Sequence, residues 1–195
     1  MTSDPRAIID SAVQDSKVND IIRRFGFSRV RGKSFSYRPN LPPAFTIGNS
    51  LSGGVIYVSD WVISKFDDME LEWVVLHELA HIEKNHIPMR AVYDLLSMGG
   101  TDYLAYAYNI PFLGASTLVK SLRSLVTVFT GGITANHEKE ADRWASEIQG
   151  TKKHGITALL KLSRGQLDMI SHVSEGFEFS VAALTMRQRI QALAK

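Results

Sequence analysis

The 195-residue sequence contains no cysteine, which limits the ways in which the chain could be stabilised or could bind a metal. A disulfide framework and a thiolate zinc site are both excluded, so any metal must be held by histidine and carboxylate side chains. Basic and acidic residues nearly balance, for a net charge of +2, and no basic stripe accompanies the candidate site discussed below. We therefore expect no nucleic-acid partner.

The sequence also lacks an uninterrupted apolar segment of the roughly 18 residues that a membrane-spanning helix requires. The most apolar stretch, residues 103–133, is interrupted by Pro111, Lys120 and Arg123. We interpret this stretch as partly buried, and the alternative is a segment that lies on a membrane surface. The N-terminus has neither the basic residues nor the apolar run of a signal peptide, so we expect a cytoplasmic protein, with peripheral membrane contact through 103–133 as the alternative.

Length and composition indicate one soluble globular domain that covers residues 1–195. Short β-prone runs precede residue 60, and helical periodicity dominates after residue 67, which predicts a mainly helical α+β fold. The stretch FSRVRGKSFSYRP has Gly32 between two alternating runs and predicts a hairpin. Residues 45–48 and 55–59 predict two further strands that neighbour each other.

A helix predicted from about residue 67 to 85 carries the pattern His-Glu-x-x-His. Its histidines, His77 and His81, lie one turn apart on the same face, so both imidazoles can reach one metal ion. Glu78 points in a neighbouring direction, from which it can contact a water molecule on that metal, and it is the candidate general base. The alternative is a surface helix with two neutral histidines, but the apolar residues around the motif favour a buried site.

Three residues compete to be the third metal ligand. His86 follows His81 by five positions, which on a continued helix turns it about 140° away, so we interpret it as a helix-end residue near the negative end of the dipole. The stretch NHEKEAD offers His137 and Glu138. Glu138 and Asp142 share one helix face, so Glu138 can bind the metal while Asp142 accepts a hydrogen bond from a ligating histidine. A solvated charged helix is the alternative for this stretch.

Four stretches occur in a fixed order: PAFTIG, GGVIYVSDWVI, ELEWVVLHELAHIEKNH and EKEADRWA. Together they resemble the gluzincin metallopeptidases of the HtpX and type I CAAX prenyl endopeptidase family. The resemblance implies a zincin-like fold, in which a small, mostly antiparallel sheet packs on the HExxH helix and on a glutamate-bearing helix. Residues 91–133 would form an insertion between these two helices. Because no transmembrane helix is identifiable, the match indicates a compact, soluble catalytic core.

The resemblance also implies the roles of individual residues around one Zn(II) ion per chain. His77, His81 and Glu138 would be its ligands, Asp142 would orient a ligating histidine, and Glu78 would be the general base. The edge strand against which an extended substrate would pair comprises Phe45, Thr46 and Ile47.

These features lead to the hypothesis of a zinc metalloendopeptidase that hydrolyses a peptide or protein substrate through a metal-activated water. A further donor to the oxyanion is expected, and the candidates are His154, His172 and Arg189. Residues 91–133 could either form a lid over the cleft or complete the core. The alternative from a different class is a noncatalytic, zinc-stabilised module that binds a protein or membrane partner.

Overall fold

The protein has the predicted α+β architecture and is mostly helical. This computed structural model describes residues 5–38, 41–89, 117–170 and 177–195, with 5–9, 117–131, 166–170 and 177–185 described as backbone only. In chain order the elements are α1 (Pro5–Arg24), β1 (Val30–Phe35), β2 (Ala44–Asn49), β3 (Gly53–Ser59), α2 (Asp60–Lys65), α3 (Asp68–Glu83), α4 (Thr117–Gln149), α5 (Lys153–Ile170) and α6 (Phe177–Ala194).

The sheet is mixed, with the strand order β1-β3-β2. β2 and β3 are neighbours, as predicted, and pair antiparallel, whereas β1 pairs with β3 in parallel. The predicted hairpin around Gly32 and the predicted mostly antiparallel sheet are therefore wrong. Gly32 lies inside β1, where α1 packs closely on it. The next strand in the chain, β2, lies on the other side of β3.

The outer edge of β1 is covered by side chains of α1. The Asn19 side chain accepts a hydrogen bond from the Gly32 N–H and donates one to the Gly32 carbonyl, each over 2.9 Å. Asp15 accepts a hydrogen bond from the N–H of Ser34. Unpaired strand edges invite pairing with other chains, and these contacts close one of them. Within the described part of the chain, the outer edge of β2 is the sheet edge that no strand covers.

We expect Gly32→Ala to destabilise the fold by about 1–3 kcal/mol, the usual cost of overpacking a core. A Cβ atom at this position would lie 2.4 Å from Val18 Cγ1 and 3.2 Å from Ile22 Cδ1. The measurement is urea denaturation. Gly132→Ala is the matched control, since Gly132 lies within α4 and a Cβ atom there meets nothing within 4 Å. Equal stability of the two variants would contradict the close packing of α1 on β1.

Helix α3 lies at the centre of the core and contacts the sheet, α1, α4 and α5. It begins with a capping box, in which Asp67 accepts from the Glu70 N–H and Glu70 accepts from the Asp67 N–H. Its buried residues extend on both sides of the His-Glu-x-x-His motif, as predicted. The largest fully buried side chains of the core are Trp73, Ile22, Ile56, Leu71, Leu76, Leu79, Ile82 and Leu159.

Helix α4 begins at Thr117 and continues through Gly131 and Gly132, so it starts within the predicted insertion of residues 91–133 and not after it. Each glycine costs a helix only about 1 kcal/mol relative to alanine, which a helix of this length tolerates. Among the described helices, none is both long and apolar enough to cross a membrane. Residues 90–116, which contain most of the predicted insertion, lie outside the described part of the chain, and the predicted lid falls there.

Candidate metal centre

Three side chains from two helices converge on one point. His77 Nε2 and His81 Nε2 of α3 lie 3.2 Å apart. Glu138 of α4 places Oε2 3.4 Å from His77 Nε2 and Oε1 3.5 Å from His81 Nε2. Ligand atoms about 2.0–2.1 Å from a tetrahedral zinc ion are separated by about 3.3–3.4 Å, so this donor set fits zinc. Of the described residues, these three form the group that could hold a metal ion.

The close approach of α3 and α4 brings the third residue to the first two. Ala141 and Ala145 are fully buried, and with such small side chains the two helices can approach closely. Trp73 of α3 donates a hydrogen bond to the Ser146 hydroxyl over 2.9 Å, which ties the helices together one turn beyond the site. The Trp73 ring also stacks on the His77 ring at a centroid distance of 5.5 Å. The packing therefore restricts the orientation of His77.

Asp142 and Arg189 lie behind the three candidate ligands. Asp142 Oδ1 is 2.9 Å from His77 Nδ1, close enough for a carboxylate to orient a ligating histidine. The Arg189 guanidinium of α6 donates to both oxygens of Asp142, over 2.8 and 2.6 Å. Its remaining nitrogen, Nη1, lies 2.9 Å from Glu138 Oε2. Arg189 thus connects two carboxylates that come from one face of α4.

The pKa values of the two motif histidines are shifted in opposite directions. Burial alone would lower the pKa of His77, but the hydrogen bonds to Asp142 and Glu138 outweigh it and raise that pKa to about 9. Burial and the neighbouring positive charge of His77 lower the pKa of His81 to about 3. Burial opposes ionisation of Glu138, yet the hydrogen bond to His77 and the charges of His77 and Arg189 lower its pKa. The two carboxylates therefore favour a positive charge at this point of the site.

Glu78 lies beside the three candidate ligands and is not one of them. Its carboxylate Oε2 accepts a hydrogen bond of 2.7 Å from the hydroxyl of Thr46 on β2. Burial raises the pKa of Glu78, and the charge of His77 and the Thr46 hydroxyl offset part of that rise. A carboxylate with a raised pKa is a stronger base, which suits a group that accepts a proton during a reaction.

An open cleft of about 320 Å³ lies over these residues. Its walls are formed by the start of β2, by α3 and α4, and by the later helices. The residues that line it are Pro42, Pro43, Ala44, Phe45, Thr46, Trp73, Val74, His77, Glu78, His81, His86, Ile87, Thr134, His137, Glu138, Leu162, Met186 and Arg189.

The predicted substrate strand runs along the wall of the cleft. The Ser59 N–H donates to the Pro43 carbonyl, so these two opposite residues form a hydrogen-bonded pair at the start of the β2–β3 ladder. Since paired positions alternate in an antiparallel ladder, the backbone groups of Ala44 and Thr46 point toward the open edge. Phe45 and Thr46 line the cleft, whereas Ile47 does not and is 59% exposed.

The predicted oxyanion donors lie in different places. Arg189 lines the cleft but directs its nitrogens at Asp142 and Glu138. His154 lies in the first turn of α5 and does not line the cleft, so the geometry gives it no support. His172 lies outside the described residues.

The sequence interpretation missed the position of His86. A continued helix would turn this residue away from the site, but α3 ends at Glu83 and Asn85 has a left-handed backbone, with φ at 55°. The chain therefore turns back, and His86 Nδ1 lies 3.0 Å from His81 Nδ1. The signal in the sequence is the asparagine just past the helix end, a residue type that tolerates this conformation. His137, the other rival ligand, stacks on the His86 ring at 4.2 Å.

An HExxH helix and a carboxylate from a second helix, placed under a cleft, form an arrangement typical of mononuclear metalloproteases. A sequence profile of Peptidase family M48 matches residues 11–194, so the chain belongs to that family. It is 25% identical over 145 residues to Protease HtpX homolog 2 of Methanosarcina mazei, with 68% of this chain and 49% of that protein covered.

A second relative is Protease HtpX homolog of Gemmatimonas aurantiaca, which is 26% identical over 136 residues, with 64% of this chain and 48% of that protein covered. The chain thus spans about half the length of the curated relatives it matches. The family membership agrees with the resemblance carried by the four sequence motifs.

Proposed function

We propose that this protein is a zinc-dependent endopeptidase with a single zincin-like domain, in which residues 91–133 are an insertion. The observation that carries the proposal is the position of Glu78. It lies beside three donor atoms spaced for a tetrahedral metal and at the base of a cleft that is open to an edge strand. A site with three protein ligands leaves a fourth position for water or substrate, which is the pattern of catalytic zinc sites.

Each residue of the site would have a separate role in peptide hydrolysis. His77, His81 and Glu138 would hold the ion, and Asp142 would keep the His77 ring in place. Zinc, when bound, would supply a Lewis acid that polarises the scissile carbonyl and lowers the pKa of water. Glu78 takes a proton from the attacking water and passes it to the leaving amine.

The substrate in this proposal is an extended peptide segment. It adds a strand to the open edge of β2 and forms main-chain hydrogen bonds with Ala44 and Thr46. Because the Thr46 hydroxyl also contacts Glu78, a peptide held at this edge would lie next to the proposed base. Both curated relatives are named proteases, which supports a peptide or protein substrate.

The proposal is tested by metal analysis together with a cleavage assay on an unfolded protein substrate. We expect one zinc ion per chain, loss of cleavage on treatment with a chelator, and recovery when zinc is restored. A chain that is fully loaded with zinc, cleaves no peptide and unfolds when zinc is removed would instead favour the noncatalytic, zinc-stabilised module.

We expect Thr46→Val to lower kcat about tenfold, because a hydrogen bond to a charged group is worth roughly 1.5 kcal/mol or more. Valine keeps the shape of threonine but cannot hold the Glu78 carboxylate in place. Thr46→Ser is the matched control, since it keeps the hydroxyl and should keep most of the rate. The measurement is steady-state cleavage at verified zinc content. A Thr46→Val variant as active as Thr46→Ser would show that the hydroxyl does not position Glu78.

A further inference from the structure

His86 is a buried histidine that the proposed reaction does not use. Only 4% of its surface is exposed, and both of its ring nitrogens face polar partners. Its Nδ1 lies 3.0 Å from His81 Nδ1, and its Nε2 lies 3.3 Å from Glu140 Oε2. The three side chains therefore form a continuous hydrogen-bonded chain that begins at the back of a candidate metal ligand.

The fold holds His86 in this place from both sides. The left-handed turn at Asn85 is anchored by the β2–β3 connection, because Asn85 Oδ1 accepts from the Ser50 N–H over 2.9 Å. The Asn85 amide also donates to the Ser50 hydroxyl over 2.8 Å. On the other side, the His137 ring of α4 stacks on His86 with an interplanar angle of 4°. The orientation of the His86 ring is thus set by neighbours that do not depend on His81.

The protons in this chain can be assigned from the geometry. His81 Nε2 faces Glu138 and His77, so it must be free of a proton to bind a metal, and the proton of the neutral ring then lies on Nδ1. This Nδ1–H donates to His86 Nδ1. His86 consequently carries its own proton on Nε2, from which it donates to Glu140. Each donor meets one acceptor, so the three groups form a consistent set.

We propose that His86 is a positioning residue that fixes the tautomer and the ring orientation of His81, and that Glu140 fixes His86 in turn. The inference rests on the proposed metal site. It gives His81 a partner comparable to the one that Asp142 gives His77, although here the partner is a second imidazole. His86 is not itself placed as a ligand, because its contact is with Nδ1 of His81, on the side of the ring away from the three donor atoms.

Three variants separate positioning from packing. His86→Phe keeps a stacked ring and removes the acceptor for His81. His86→Asn restores an acceptor, since the amide oxygen can take the place of Nδ1. His137→Phe is the matched control, because it alters the other member of the same stacked pair and leaves the His81 contact in place.

The first measurement is the zinc dissociation constant, obtained by competition with a chelator. Loss of such a partner typically weakens metal binding by about 10–100-fold, which we expect for His86→Phe. His86→Asn should recover most of that loss, and His137→Phe should stay within a few-fold of wild type. Unchanged zinc binding in His86→Phe, or an equal loss in His137→Phe, would overturn the proposal.

The second measurement is the imidazole nitrogen NMR spectrum of the metal-free wild-type protein. We expect a proton on His81 Nδ1 and on His86 Nε2. The hydrogen bonds of a neutral imidazole decide which nitrogen carries the proton, so a proton on His81 Nδ1 would report the bond to His86 and not packing alone. A His81 ring with its proton on Nε2 would overturn the proposal even if His86→Phe fails to fold. Because this experiment needs neither zinc nor substrate, its outcome is separate from the test of the proposed function.

Discussion

Glu78→Gln is expected to lower kcat for peptide cleavage by about 10²–10⁴-fold, the usual contribution of a general base. Glutamine matches glutamate in shape but cannot take the proton of the attacking water. Zinc should remain bound, because Glu78 is not among the three candidate ligands. The measurement is the cleavage rate of variant and wild type at equal, verified zinc content. Unchanged cleavage at full metal occupancy would exclude Glu78 as the base.

Two features of the structure allow this loss to be assigned to chemistry. The Thr46 hydroxyl can donate to the amide oxygen of glutamine as it does to the carboxylate, so the side chain should keep its position. Burial penalises the charged form of Glu78, so a neutral residue should not weaken the fold. Glu83→Gln is the matched control, since Glu83 is an exposed residue of the same helix. It should retain wild-type cleavage and stability.

The central helix could be predicted from the sequence because its signals are local. The capping box of Asp67 and Glu70 and the apolar periodicity lie within the segment that they define. Gly32 and Gly132 could not be interpreted in the same way. Gly32 serves the close packing of α1 on β1, which depends on residues far along the chain, and Gly132 is tolerated inside a long helix. Glycine in a sequence does not distinguish a turn from a close contact.

In the candidate site, too, the local features could be predicted from the sequence and the long-range ones could not. The spacing of His77 and His81 is sufficient to place both on one helix face. The contribution of Glu138 required the resemblance to known motifs, because spacing left it in competition with His86 and His137. The position of His86 depends on the backbone conformation of one residue, Asn85, which reversed the direction expected from helical geometry. Local periodicity predicts which side chains share a face but not where the chain goes after the helix ends.

Arg189→Met is expected to destabilise the metal-free protein by about 3–5 kcal/mol, the cost of leaving a buried charge without its partner. Arg189 donates to both oxygens of Asp142 and also lies 2.9 Å from Glu138, and Asp142 is only 2% exposed. Methionine would fill most of the space but would remove the guanidinium charge from both carboxylates, which would then share His77 on α3 as their partner. The free energy of unfolding from urea denaturation, measured with a chelator present, gives the effect.

Two control variants test whether the loss of stability in Arg189→Met comes from the broken ion pairs. Arg187→Met alters an exposed residue of the same helix and should change stability by less than about 0.5 kcal/mol. Arg189→Lys keeps the charge but cannot bind Asp142 through two nitrogens, so we expect an intermediate loss. Arg189→Met as stable as Arg187→Met would contradict the buried charge pairing.

Zinc should stabilise the Arg189→Met variant, because an ion that binds only the folded state raises its stability in proportion to the logarithm of ligand concentration over Kd. The bound cation would compensate Glu138, which lies among its candidate ligands. It would not compensate Asp142, which contacts the site through His77. At the same free zinc concentration, the stability difference between Arg189→Met and wild type should therefore become smaller without disappearing. A difference of zero would mean that Arg189 stabilises the fold only through Glu138, whereas an unchanged difference would show that Arg189 and the metal centre are not coupled.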